Sequence, residues 1–123
     1  MERVEEFTRE GRNFVYIDFS GYKQAEDFSM LISKSKLVIS KYPGKSLYTI
    51  TNITNVRIEP IIKDMMVEYL ENNKPYVKYA VVIGMDGIKK MVANAIIKLS
   101  GRNNISFSLS KEQAIDFILQ NNL

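Results

Sequence analysis

Apolar residues change period several times along the chain, and each change marks an element. From Arg3 to Arg9 polar and apolar residues mix, as in a short edge strand. Glu10-Gly11-Arg12-Asn13 makes a turn, with Gly11 free to take positive φ. Phe14 to Phe19 is β-branched and aromatic and nearly apolar on both faces, as in an inner strand. From Lys23 to about Lys41 the period becomes helical, with Ala25, Phe28, Leu31, Ile32, Ser35, Val38 and Ile39 on one side. Tyr42-Pro43-Gly44 stops that helix, and Ser46 to Ile53 forms the next strand. Thr54-Asn55 turns the chain, and Glu59-Pro60 opens a second helix striped by Ile61, Ile62, Met65, Met66, Tyr69 and Leu70.

Val77 to Ile83 is a buried strand. Gly84 to Gly87 then turn into a third helix, with Asp86 as its N-cap. The spacing of Ile88, Met91, Val92, Ala95 and Leu99 predicts that these residues face inward, and Gly101 suits a left-handed stop. Ile105 to Ser108 is a short last strand. Ser110-Lys111-Glu112-Gln113 is a capping box for a final helix that buries Ala114, Phe117 and Ile118.

The order is (β)βαβαβαβα. It predicts one α/β domain over residues 1–123, with a mixed, mostly parallel sheet of four to five strands and four helices. The N-terminal strand follows a tight turn and so should be antiparallel. An exposed edge there admits a homodimer, and Glu5, Glu6, Arg9 and Arg12 are placed to block it.

Composition narrows the function classes. The chain has no cysteine and no histidine, so thiol chemistry, disulfides and the commonest general base and metal ligand are all absent. No cofactor or metal site is expected. No apolar run reaches the ~18 residues of a membrane span, and the charged start at Glu2, Arg3, Glu5 and Glu6 is unlike a secretory signal. A cytoplasmic location is therefore expected. Seventeen basic residues against fourteen acidic give a net charge of +3, too mild to suggest nucleic-acid binding.

Each motif with the outline of a chemical site has a plainer reading. Pro43-Gly44-Lys45-Ser46 ends like a phosphate loop, but Ile39 stands where its first glycine belongs, and the order of helix and strand is reversed. Gly84-Met85-Asp86-Gly87 sits where a helix N-terminus can hold an anion, yet Asp86 would repel one. A tight turn with a cap is the reading preferred. Lys89, Lys90, Lys98 and Arg102 read as a solvated helix face, with Lys98 and Arg102 complementing the helix C-terminus. No hydroxyl has a histidine to activate it, so no catalytic residue is assigned and a non-enzymatic role is expected.

The element order, with the stretch from Val77 to Asn103, resembles the STAS domains and their sporulation-antagonist-like relatives. STAS domains are named for sulfate transporters and anti-sigma-factor antagonists. The resemblance covers roughly Asn13 to Gln120, and Asn73-Lys74-Pro75-Tyr76-Val77-Lys78, Val82 to Lys90 and Leu99-Ser100-Gly101-Arg102 look like a set of uncharacterised bacterial relatives. It implies a regulatory module that acts by protein–protein contact, with a kinase-like or other signalling protein as partner. In the antagonist members a phosphorylatable serine opens the helix after the third strand. Here Glu59-Pro60-Ile61 occupy that place, so the usual phosphoswitch is not expected.

The surface expected to dock a partner joins Thr54, Asn55 and Arg57 to Gly84, Met85, Asp86 and Gly87 at one end of the sheet. The alternative is a small-molecule or lipid-binding domain, because some STAS-like relatives are grouped with lipid-transfer proteins. A third reading is an enzyme with Asp18 or Asp86 as general base.

Overall fold

The computed structural model describes residues 2–123. Its elements run β1 (Val4–Arg9), β2 (Arg12–Asp18), α1 (Ala25–Ile39), β3 (Leu47–Asn52), α2 (Pro60–Asn73), β4 (Val77–Ile83), α3 (Gly87–Ser100), β5 (Ile105–Ser108) and α4 (Lys111–Gln120). The chain is α/β, in the order expected. The strands lie in sequence order in one five-stranded sheet. β1 pairs antiparallel with β2, and all the other pairs are parallel.

Strands that advance one place at a time through crossovers of one hand put the crossover helices on the same face. Val15, Ile17, Leu47, Val77 and Ala80 accordingly pack with Phe28, Leu31 and Ile39 of α1 and Ile62 and Tyr69 of α2. Alternate residues point the other way. Phe14, Tyr48, Ile50, Val81 and Ile83 meet Ala114, Ile115 and Ile118 of α4. Both faces are covered, which is why the inner strands are apolar without alternation.

The edge strand β1 is clamped by charge. Glu5 pairs with Lys111 at 2.7 Å, Glu6 with Lys41 at 3.3 Å and Arg9 with Glu112 at 3.5 Å. These are surface pairs, each worth at most ~1 kcal/mol. Together they set charges along an edge that would otherwise recruit another strand.

Two helix readings change. In α3 the buried residues are Ala93, Ile96 and Ser100, while Ile88, Met91, Ala95 and Leu99 face solvent and Val92 is half-buried. The helix carries two apolar stripes. It buries the stripe of Ala93, Ile96 and Ser100, with α3 packed beside α2, and leaves the bulkier stripe outside. Phe117 of α4 is likewise 37% exposed, and Ile115 takes an inward place. The second change is Arg102, which is buried. Its Nη1 donates to the Leu70 carbonyl at 3.1 Å and its Nε to Asn104 Oδ1 at 2.8 Å.

The tyrosines offer a check on the packing. Burial pushes the Tyr69 phenol up to about 12, although its hydrogen bond with Ser35 (2.8 Å) acts in the opposite sense. Burial, and the bond that Tyr42 donates to Glu6 at 2.6 Å, push Tyr42 up to about 12 as well. Unfolded tyrosines ionise near pH ~10. The stabilisation from these two phenols is therefore complete below that pH and is lost as pH rises toward 12. Tyrosinate absorbance is expected to show the phenols of Tyr42 and Tyr69 titrating late, in step with alkaline unfolding. Ionisation of these two near pH ~10 in a protein that is still folded would contradict this packing.

Candidate functional site

The strands end in four loops on one side of the molecule, where open α/β sheets place their sites. The loop after β3 is built by Asn52. Its Oδ1 accepts from the Thr54 amide at 3.0 Å and from Thr54 Oγ1 at 2.6 Å, which makes an Asx turn. Its Nδ2 donates to Tyr16 Oη at 2.9 Å, fixing the amide's orientation. Asn55 follows with φ 57°, a left-handed conformation that asparagine tolerates. Val56 is buried and pins the loop, while Thr54, Asn55 and Arg57 are exposed. Arg57 Nη1 lies 3.5 Å from Glu59 Oε1 in an open ion pair.

The turn after β4 meets that loop directly. Gly84 has φ 88°, and a Cβ on it would collide with Thr54 Oγ1 and lie 2.9 Å from Thr54 Cα. Only glycine fits between the two backbones. The register pairs Thr51 with Val82 and Asn52 with Ile83, which carries the two chains side by side to this contact. Asp86 Oδ1 accepts from the Lys89 amide at 2.9 Å and caps α3. Gly87 opens the helix and is exposed with Asp86. Met85 is half-buried. It reaches inward toward Phe19, Ile53 and Val82, and outward to a shallow groove with Lys90, Phe107 and Leu109.

All seven residues named from the sequence thus lie on these two adjoining loops, and Thr54 and Gly84 touch. Sequence reasoning missed the apolar rim around them. Ile61 in the first turn of α2 is 56% exposed, and Ile88 in the first turn of α3 and Leu109 after β5 are each 80% exposed. Ile61 and Ile88 were read as core-facing. The available signal was that adjacent Ile61 and Ile62 cannot both point inward on a helix. At the start of α2, Glu59 takes the cap position, Pro60 the first turn and Ile61 the surface, so no hydroxyl stands in the first turn.

The two carboxylates considered as bases are both engaged. Asp18 Oδ1 accepts from the Ser20 amide at 2.8 Å and lies 3.9 Å from Arg3 Nη1, and Asp86 holds its cap. No cluster of metal-ligating side chains occurs among the described residues. Nor is any helix among them long and apolar enough to cross a membrane. Beneath α2 and α3 lies an apolar void of about 40 Å³, lined by Met66, Tyr69, Leu70, Ala93, Ile96 and Ile105 among others. Ligand pockets run to roughly 300–1,000 Å³, so this void is a packing gap with room for little more than a water. No protein-family model matches the chain, and no curated protein matches it either.

Proposed function

We propose that this chain is a non-enzymatic docking module that acts by protein–protein contact through the loop-end surface. The regulatory role follows the STAS resemblance, as do the kinase-like or other signalling partner and the cytoplasmic setting. The reading includes no serine phosphoswitch, because Pro60 and Ile61 stand where the resemblance would put the serines. The observation that carries the reading is the make-up of the rim. Large apolar side chains at Ile61, Ile88 and Leu109 stand exposed at the same end of the sheet as the polar groups of Thr54, Asn55, Arg57 and Asp86. Apolar anchors set among hydrogen-bonding groups are the composition of a binding patch.

The test is capture of the partner by cross-linking in native cells, with wild type and with a variant carrying Thr54→Ala, Asn55→Ala, Arg57→Ala and Met85→Ala together. The variant is expected to lose the partner, and an Ile88→Ser variant to weaken it while leaving the melting temperature within a few degrees of wild type. A partner retained in full by the quadruple variant would sink the site.

A further inference from the structure

α2 and α3 lie side by side and each joins two parallel strands, so both run against the sheet and parallel to each other. Their outer faces differ in charge. On α2, exposed Asp64 and Glu71 stand two positions after buried Ile62 and Tyr69, about 200° around the helix and so facing away from the sheet. α3 carries Lys89, Lys90 and Lys98 and no acidic residue. Among the described residues Asp64, Glu71, Lys90 and Lys98 enter no ion pair, although their helices are neighbours. The helices are also level. A Cβ at Gly101 would lie 3.9 Å from Lys74 Nζ, and three residues back along each helix stand Lys98 and Glu71. An apolar stripe runs between the charged faces. Ile88, Met91 and Leu99 are 80%, 74% and 62% exposed, with exposed Ala95 among them. Lys90 borders a groove with Phe107 and Leu109, which marks the β5 side of α3. Leu99 lies nine positions on, about 180° further around the helix, so the stripe borders α2.

We infer that this chain pairs with a second copy of itself through α2 and α3, about a two-fold axis that runs parallel to both helices. Such an axis lays each α2 on the α3 of the other copy without sliding either along its length. Glu71 of each copy then meets Lys98 of the other, and the two stripes of Ile88, Met91, Ala95 and Leu99 meet across the axis. An occupant of this face has to present a base over Glu71 and an acid over Lys98, at the spacing of these two helices. A second copy does so because the oppositely charged helices are adjacent, parallel and level. Two acidic or two basic helices would repel their own copies. Apolar residues rimmed by paired charges have the make-up of an interface, and two-fold closure stops assembly at the dimer. This inference does not rest on the docking role, which partner capture reads separately. Ile88 borders both surfaces, and the variants below leave it in place.

Charge reversal read by sedimentation equilibrium tests the pairing. Wild type is expected to dimerise as its concentration rises. Glu71→Lys and Lys98→Glu change exposed residues, so each variant should fold, but each sets like charges against each other and should weaken association about tenfold or more. An equal mixture of the two variants should associate as wild type does, because their reversals are complementary between chains. A pair made within one chain could not be rescued by mixing. Glu68→Lys is the control. Glu68 lines the groove with Ser33 and Lys36 of α1, so this variant should dimerise normally. Leu99→Ser should be monomeric with the melting temperature of the wild-type monomer, since Leu99 is exposed in the single chain. Wild type that stays monomeric at every concentration, a mixture that associates no better than its parts, or a Leu99→Ser variant that dimerises like wild type would overturn the inference.

Discussion

Gly84→Ala is expected to lower the free energy of unfolding by about 3 kcal/mol, the upper end of what a strained left-handed residue costs. Two penalties act together. The backbone there has φ 88°, and the added methyl would press on the Thr54 backbone and hydroxyl. Neither neighbour can withdraw. Thr54 Oγ1 and its amide are both bonded to Asn52, and its carbonyl accepts from the Gly21 amide at 2.9 Å. Yielding at Thr54 would therefore disturb three loops at once. For a domain of this size the melting temperature should fall by roughly 10 °C. Gly87→Ala is the matched control, because a Cβ there meets nothing within 4 Å. Urea denaturation of the two variants checks both. Equal stabilities would mean that the two loops are not in contact.

Arg102→Ala is the second large effect, at about 3 kcal/mol. The guanidinium is buried without a carboxylate partner among the described residues, and burial lowers its pKa. What holds it is the end of α2, where the Leu70 carbonyl accepts from Nη1 and the negative end of the helix dipole faces the charge. Asn104 completes the bridge. Its Oδ1 accepts from Nε, and its Nδ2 donates to the carbonyls of Val77 and Lys78 at 3.1 and 3.0 Å. Truncation leaves the Leu70 carbonyl and the Asn104 amide oxygen without their donors and opens a hole. Unpaired buried groups cost ~1–3 kcal/mol each. Arg102→Met fills the same volume and removes the cost of burying a charge, so its loss should be smaller, near 1 kcal/mol. Denaturation midpoints decide between them. A loss under about 1 kcal/mol for alanine would show that Arg102 is not the clamp between α2 and β4.

The sheet and the succession of elements along the chain were legible because burial on both faces writes itself into sequence as unbroken apolar runs, such as Phe14 to Ile17 and Ala80 to Ile83. The caps at Asp86 and Ser110 were legible because capping is local chemistry, and both bond the amide three residues on. The rotation of α3 was not. Its two apolar stripes satisfy the same period, and the choice between them depends on tertiary packing, above all against the neighbouring helix α2. Arg102 was hidden for a related reason. A cation after a helix reads as solvated until the neighbouring helix end that takes it in is known. The two loops of the site were legible as loops, but the contact of Gly84 with Thr54 depends on the β3–β4 register, which no local pattern encodes.

A photo-reactive residue placed in the loop tests the docking surface most directly. Substituting it at Asn55 probes the loop end. Substituting it at Leu37, which is 74% exposed in the last turn of α1, probes the opposite end of the molecule. In cells, irradiation should link the Asn55 variant to one discrete partner protein and leave the Leu37 variant without that adduct. The same adduct at residue 37 and none at residue 55 would place the docking surface elsewhere and contradict the account.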